Sequence, residues 1–484
     1  MSSLSELFPA GAGKEVSFVA SGAISSGATV ILNSDGTVSV VSGQNYAAGS
    51  EVVFDADDSP NDAVSVYDST GDRVVIAYQD GNEGFAVVGN VSGSSITFGT
   101  PATFHSAAYA ARELGMAYDS NADRIVILYK ENTGGDYGYA IVGNVSSTSV
   151  SFGTKVAFNS ATSRYPVPVY DSDSNKVVIY YNGNTAKVGT ISGTSISFGS
   201  AVNLTDGEDG EGINGVFDSN ANKHVVTFRK QGGGGGTAES RVGTVSGTSI
   251  SFGSLVQFAT SAQSSRGRPM AFDSTNNKVV IFFSDTSNSN TLSAVVGTVS
   301  GSSISYGTKV ATSLSGLDSV ALNPSQAIFD SNAGVVACVL ETSNVTYLLV
   351  GKVNGTSIDL DPLITLNGGV EGRYPTMTYD STAQKAVISY MDLGNSNDGT
   401  SIVVTLPTTN VTADNFLGIS TGAISDGSSG SITVKGGVSS NVTGLTANST
   451  YYISKDGTLT TTSTGNVLAG RALSATSIDL DYST

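Results

Sequence analysis

Tryptophan is absent from this 484-residue chain, cysteine occurs once and histidine twice. Each scarcity excludes something. A single cysteine, Cys338, cannot close a disulfide within the chain. One cysteine and two histidines cannot assemble a zinc cluster. A nucleophilic triad would have to draw its base from His105 or His224, which sit at an outer-strand end and a second-strand start. Charged residues make up only 13 % of the chain, about half the usual ~25 %. Aspartate and glutamate outnumber lysine and arginine by 41 to 23, a net charge of −18. With no lysine or arginine run, that balance excludes a nucleic-acid partner. No stretch approaches the ~20 apolar residues of a spanning helix, so membrane insertion is not expected. The start, Met1 to Pro9, lacks the basic and apolar regions of a secretory signal. The chain is therefore expected to be made in a cytoplasm. Cys338 lies in an apolar run, Val335 to Leu340, and reads as a small buried hydrophobe.

What the chain has is repetition. An aromatic residue followed by Asp-Ser recurs seven times, at Asp68, Asp119, Asp171, Asp218, Asp273, Asp330 and Asp380, with spacings of 51, 52, 47, 55, 57 and 50 residues. About twenty residues after each copy but the last comes a second landmark, Val88-Gly-Asn-Val-Ser-Gly-Ser-Ser-Ile-Thr-Phe-Gly99 in its first form. It returns at Val142–Gly153, Val188–Gly199, Val242–Gly253, Val296–Gly307 and Val350–Leu360. Each unit reads as four short strands. In the third, Tyr165–Tyr170 ends in an Asp/Asn turn. Lys176–Tyr181 and Ala186–Ile191 follow, and Ile196–Leu204 comes after a Ser-Gly turn. Four antiparallel strands per ~50 residues, repeated radially, predict an all-β seven-bladed propeller over 48–410. Glu51-Val-Val-Phe54 is predicted to complete blade seven, within 48–56, and so to remove a free strand edge.

Residues 1–47 and 411–484 echo each other. Ser21-Gly-Ala-Ile-Ser-Ser-Gly27 matches Thr421-Gly-Ala-Ile-Ser-Asp-Gly427, and Leu32 to Val38 matches Ile453 to Leu459. Asp-Gly between alternating runs is a hairpin signal. A small composite β-domain built from both ends is expected.

Residues 415–480 contain Asn415-Phe-Leu-Gly-Ile-Ser-Thr-Gly-Ala-Ile, Gly444-Leu-Thr, Tyr451-Tyr-Ile-Ser-Lys-Asp-Gly-Thr-Leu and Gly470-Arg-Ala-Leu-Ser. This resembles a module recurring in tail-fibre and other virion proteins of tailed phages, notably marine ones. The resemblance implies a non-enzymatic virion structural protein, part of a tail fibre or other host-facing appendage. It implies other virion proteins as partners, with a host surface glycan and a second copy of the chain as further ones. A capsid decoration or adaptor protein is the first alternative, and a glycan-degrading propeller enzyme the second.

The candidate chemistry is sparse. Propellers include sialidases, but their Asp-box turns carry a Trp that this chain lacks, and Asn33-Ser-Asp-Gly-Thr37 reads as a hairpin turn. The seven landmark aspartates read as turn residues, because a glycosidase needs one particular carboxylate pair and the sequence singles out none. Asp206, Glu208, Asp209 and Glu211 crowd one loop and are weak calcium candidates; no metal or cofactor is expected. Seven residues before the landmark Asp, four units carry arginine: Arg112, Arg164, Arg266 and Arg373. With Tyr165, Arg268 and Tyr374 beside them, these are the candidate ligand-binding residues, suited to an anionic sugar or a carboxylate. The competing reading is a structural bridge between blades.

Overall fold

The computed structural model describes residues 15–56, 60–106, 108–132, 135–205, 210–230, 236–261, 268–317, 326–366, 372–463 and 465–480, the side chain of Glu211 excepted. The chain forms two compact units, one of residues 48–405 and one assembled from both ends, up to 47 and from 406 onward. Both are all-β. The single helical element among the described residues is a 3-10 turn, Thr286–Asn288.

The larger unit contains seven antiparallel sheets of one build, giving a propeller-like β fold. In the first, Asn61–Asp68, Arg73–Asp80, Glu83–Ser92 and Ser95–Phe98 pair in order, and Ala102–His105 adds to the far part of the long third strand. Second strands are the most apolar. Val74 to Tyr78 and Ile125 to Tyr129 are buried along their whole length, not on alternate residues. A strand covered on both faces has no reason to alternate. The cover comes from neighbouring sheets: one core cluster joins Val75 and Ala77 to Ile125 and Ile127, and another joins Val74 and Ile76 to Val387 and Val403. The seventh sheet, Gly372–Asp380, Lys385–Asp392 and Asp398–Thr405, takes Val52–Asp55 as an outer strand, with Thr400 opposite Val53. The first strands of successive sheets adjoin one another, and Gly372–Asp380 adjoins Asn61–Asp68.

Two repeated residues show why the landmarks recur. Each landmark aspartate is buried, and its Oδ1 accepts the N–H groups two and three residues on. Asp119 takes those of Asn121 and Ala122, both at 2.9 Å, and all seven copies do the same. They are turn residues. The glycine ending the second landmark meets the next sheet. A Cβ on Gly99 would stand 1.8 Å from the Thr148 carbonyl oxygen, and Gly153, Gly199, Gly253 and Gly307 repeat the approach. Gly49 makes the same approach to Ser94 of the first sheet, at 1.7 Å.

The smaller unit has two five-stranded sheets. One interleaves the chain ends: Glu15–Val19, Ser429–Val434, Phe416–Ser420, Thr29–Leu32 and Val38–Val40. The echoed segments bond to each other reciprocally. Ile24 N–H donates to the Ile424 carbonyl at 2.9 Å, and Ile424 N–H to that of Ile24 at 2.8 Å. Asp35 and Asp456 each accept the N–H of the threonine two residues on, closing the two hairpin turns.

Candidate functional site

The functional geometry begins with a backbone feature. Six residues before the landmark aspartate, in or just before the first strand, five units carry a residue with positive φ: Asp62 at 51°, Glu113 at 55°, Tyr165 at 47°, Gly212 at 57° and Tyr374 at 52°. In four of these sheets, pairing to the second strand shifts register there, as between Arg112 and Gly115. A β-bulge of this kind re-aims a side chain out of the alternation. Holding a non-glycine residue in that region costs about 1–3 kcal/mol unless the surroundings fix it. Here the neighbouring sheet does so. Asp62 Oδ2 accepts the Glu113 N–H at 3.0 Å, and Glu113 Oε2 accepts the Tyr165 N–H at 2.7 Å. Glu341 accepts the Tyr374 N–H at 3.4 Å.

Three of these residues border a cavity of about 440 Å³ to which all seven first-strand segments contribute. Asp62, Glu113 and Tyr165 stand among its lining. Further along are polar Ser65, Asn214, Gln326 and Thr378, and apolar Met116, Met270 and Met377. Gln326 Oε1 accepts the Met377 N–H at 3.2 Å and the Thr376 hydroxyl, which lies 3.0 Å from Ser65 Oγ. Sheets one, six and seven are thus tied across the cavity wall. Glu113 is ion-paired to Lys130 at 2.8 Å in a setting where both side chains are largely buried, at 11 % and 13 % exposure. The volume lies within the ~300–1,000 Å³ of ligand pockets, and the mixture of apolar wall with a few polar groups is the usual make-up of one.

The candidate arginines part company. Arg112 and Arg164 are exposed, and it is their neighbours Glu113 and Tyr165 that line the cavity. Arg268 is fully buried; its guanidinium donates to the Gly212 carbonyl, and its own carbonyl accepts Asn214 Nδ2 at 2.9 Å. Arg373 donates to Asn344 Oδ1 at 2.8 Å. Tyr374, at the seventh bulge, is held by Glu341. Arg266 lies outside the described residues, as do Asp206, Glu208, Asp209 and the Glu211 side chain. Among the described residues no group of three metal-ligating side chains occurs.

The histidines have structural partners. His105 is buried, with Nε2 2.7 Å from the Tyr109 carbonyl. His224 Nε2 lies 3.2 Å from Asp171 Oδ2, the landmark aspartate of the preceding sheet. Tyr118 and Tyr170 reach the preceding sheet's turn through their hydroxyls, at Thr70 and Asn121, and Tyr67 reaches Thr382 of the seventh sheet at 2.7 Å. The fourth sheet has Phe217 there, and His224 supplies the link instead. Cys338 is wholly buried, and burial pushes its thiol far above the ordinary range.

No protein-family model matches the chain, and no curated protein does. Among solved structures it is similar to the NanB sialidase of Streptococcus pneumoniae, crystallised with 2-[(3-chlorobenzyl)ammonio]ethanesulfonate. The match covers 73 % of this chain and 70 % of that one, at 13 % identity and a TM-score of 0.43. At that level the likeness assigns no reaction to this chain. Two expectations are corrected. No family model and no curated protein ties this chain to the expected non-enzymatic virion structural protein, whether tail fibre or decoration, and the solved structure named above is that of an enzyme. The exclusion of an enzyme also loses its ground. It rested on no carboxylate pair standing apart, and the fold sets Asp62 and Glu113 apart on the cavity rim. The sequence missed them because their shared property is a backbone conformation, whereas the aligned side chains are Asp, Glu, Tyr, Gly and Tyr.

Proposed function

We propose that the chain is a seven-bladed β-propeller that binds a glycan in its axial cavity, with glycoside hydrolysis as the reaction its rim carboxylates fit. The contiguity of first strands from sheet to sheet, including the seventh with the first, supports the closed ring. So do the Tyr67–Thr382 bond and the Gly49–Ser94 approach. The observation that carries the functional reading is the cavity lining. Hydroxyl and amide groups of Ser65, Asn214, Gln326 and Thr378 can exchange hydrogen bonds with sugar hydroxyls. Apolar strips from the methionines and Pro166 suit the C–H faces of a pyranose. Asp62 and Glu113 are adjacent on the rim, where one carboxyl can protonate a glycosidic oxygen while the other serves as base or nucleophile.

The test is a polysaccharide and oligosaccharide panel assayed for binding and for reducing-end release by the purified chain, Asp62→Asn and Glu113→Gln. Both amides keep the oxygen that accepts the neighbouring N–H, so the rim stays folded. Release should fall about 10²–10⁴-fold in either variant, with affinity within a few-fold of wild type. A wild-type chain that binds no glycan in the panel overturns the reading, and cleavage that survives both substitutions overturns the role given to the carboxylates.

A further inference from the structure

The sequence has ten arginines, and Arg266 lies outside the described residues. Of the nine described, Arg73, Arg124, Arg268, Arg373 and Arg471 donate to carbonyl or amide oxygens. Arg229 and Arg241 are engaged as well. Arg112 and Arg164 are the two whose guanidinium groups have no partner among the described residues, and both are exposed. They occupy equivalent positions in sheets two and three, each directly before a bulge residue that lines the cavity. In a chain of net charge −18, two cations in successive sheets with no carboxylate partner among the described residues stand out.

Two exposed aromatic rings share this sector. Tyr109, 50 % exposed, is three residues before Arg112, and its carbonyl is fixed by His105. Tyr137, 39 % exposed, opens the third strand of the same sheet opposite Thr162, two residues before Arg164. A Cβ on Gly135 would stand 2.4 Å from the Tyr137 ring, so the glycine lets the ring approach the backbone there while the side chain stays partly exposed. An exposed aromatic ring offers a stacking platform to the C–H face of a sugar. A guanidinium offers a forked donor to a carboxylate or sulfate.

We infer that Tyr109, Arg112, Tyr137 and Arg164 form an outer subsite for an acidic oligosaccharide whose end occupies the axial cavity. The inference rests on the glycan reading above and narrows it to a polymer bearing carboxylate or sulfate groups. The alternative partner for two free arginines is an acidic peptide. The exposed rings and their continuity with the cavity rim favour the saccharide.

The test is calorimetric titration of the full chain at low salt with galacturonate dimer and hexamer, neutral cello-oligosaccharides of the same lengths, and a hexaglutamate peptide. The acidic hexamer should bind about tenfold more tightly than the neutral one, the size two exposed charge pairs supply. Arg112→Gln/Arg164→Gln should erase that margin and leave dimer affinity unchanged. Tyr109→Ala/Tyr137→Ala should erase the gain from dimer to hexamer for both sugars. Equal affinity for acidic and neutral hexamers in the wild type overturns the subsite, as does a margin that survives the arginine substitutions. Hexaglutamate binding as tightly as the acidic hexamer overturns its assignment to a saccharide. Absence of all saccharide binding, dimers included, removes the axial reading itself. Dimer binding without preference for charge or length removes the outer subsite alone.

Discussion

The two ends of each first strand in the larger unit are built on opposite logics. At one end the landmark aspartate recurs in all seven sheets, is buried, and does the same work each time, capping two backbone N–H groups of its turn. At the other end a positive-φ residue recurs in the five sheets where that position is described, but its side chain changes from sheet to sheet: Asp62, Glu113, Tyr165, Gly212, Tyr374. A residue type that every repeat needs belongs to the scaffold. A position whose geometry is kept and whose chemistry varies is free to serve a ligand, and two of its carboxylates and one tyrosine line the cavity. In a repeat fold, then, the site is found where the copies disagree.

The comparison is broken most severely by an added methyl group where sheets abut. Gly99→Ala places a Cβ 1.8 Å from the Thr148 carbonyl oxygen. That is backbone, with no side chain to swing aside, so sheets one and two must separate. We expect a loss of about 3 kcal/mol or more, read as a fall in the urea midpoint. A loss below ~1 kcal/mol would mean that the abutting hairpin yields easily.

A somewhat smaller effect is expected from the turn itself. Asp119→Ala leaves the N–H groups of Asn121 and Ala122 without their acceptor, at a cost of about 2–3 kcal/mol. Asp119→Asn keeps an acceptor and should lose about half as much. Glycan affinity should be unchanged in both variants once folded. A folded Asp119→Asn chain that no longer binds glycan would place the landmark end in the site and undo the contrast.

How far the sequence reveals each end follows from this. The four-stranded units, the turn role of the aspartates and the pairing of Val52–Asp55 with the last repeat leave marks on side-chain type, because an Asp caps each turn and a Gly stands where sheets abut. The bulge leaves no such mark. Register shift and positive φ are properties of pairing with the second strand, and they are satisfied by Asp, Glu, Tyr or Gly once a neighbouring carboxylate holds the amide. The arginine seven residues upstream is visible in the sequence, but not that Arg373 turns to Asn344, nor that the guanidinium groups of Arg112 and Arg164 meet no partner among the described residues. The likeness of Ser21–Gly27 to Thr421–Gly427 was equally plain. That each is the other's hydrogen-bonding partner depends on a fold that brings residues 400 positions apart together.

The smallest expected effect sharpens the contrast at one copy of the uniform end. In sheet four Phe217 carries no hydroxyl, and His224 makes the link to Asp171 at 3.2 Å, packed against the rings of Phe217 and Tyr180. Burial pushes the His224 pKa down, outweighing the opposing pull of Asp171. For Asp171, burial pushes upward, but the bonds from His224 and the Ser174 N–H prevail and hold it below the usual carboxylate value. The signs agree. A histidine with a depressed folded pKa binds fewer protons folded than unfolded, so stability falls as pH drops through the unfolded value near ~6.5. Asp171 adds a second loss below about pH 4, where its unfolded form takes up a proton first. His224→Gln keeps a side-chain donor but does not titrate. It should therefore flatten the dependence of the urea midpoint on pH between about 7 and 5 and leave the fall below about 4 in place. An unchanged slope between pH 7 and 5 would show that other groups carry it, and that the linking side chain in sheet four works without titrating, as Tyr67, Tyr118 and Tyr170 do in sheets one to three.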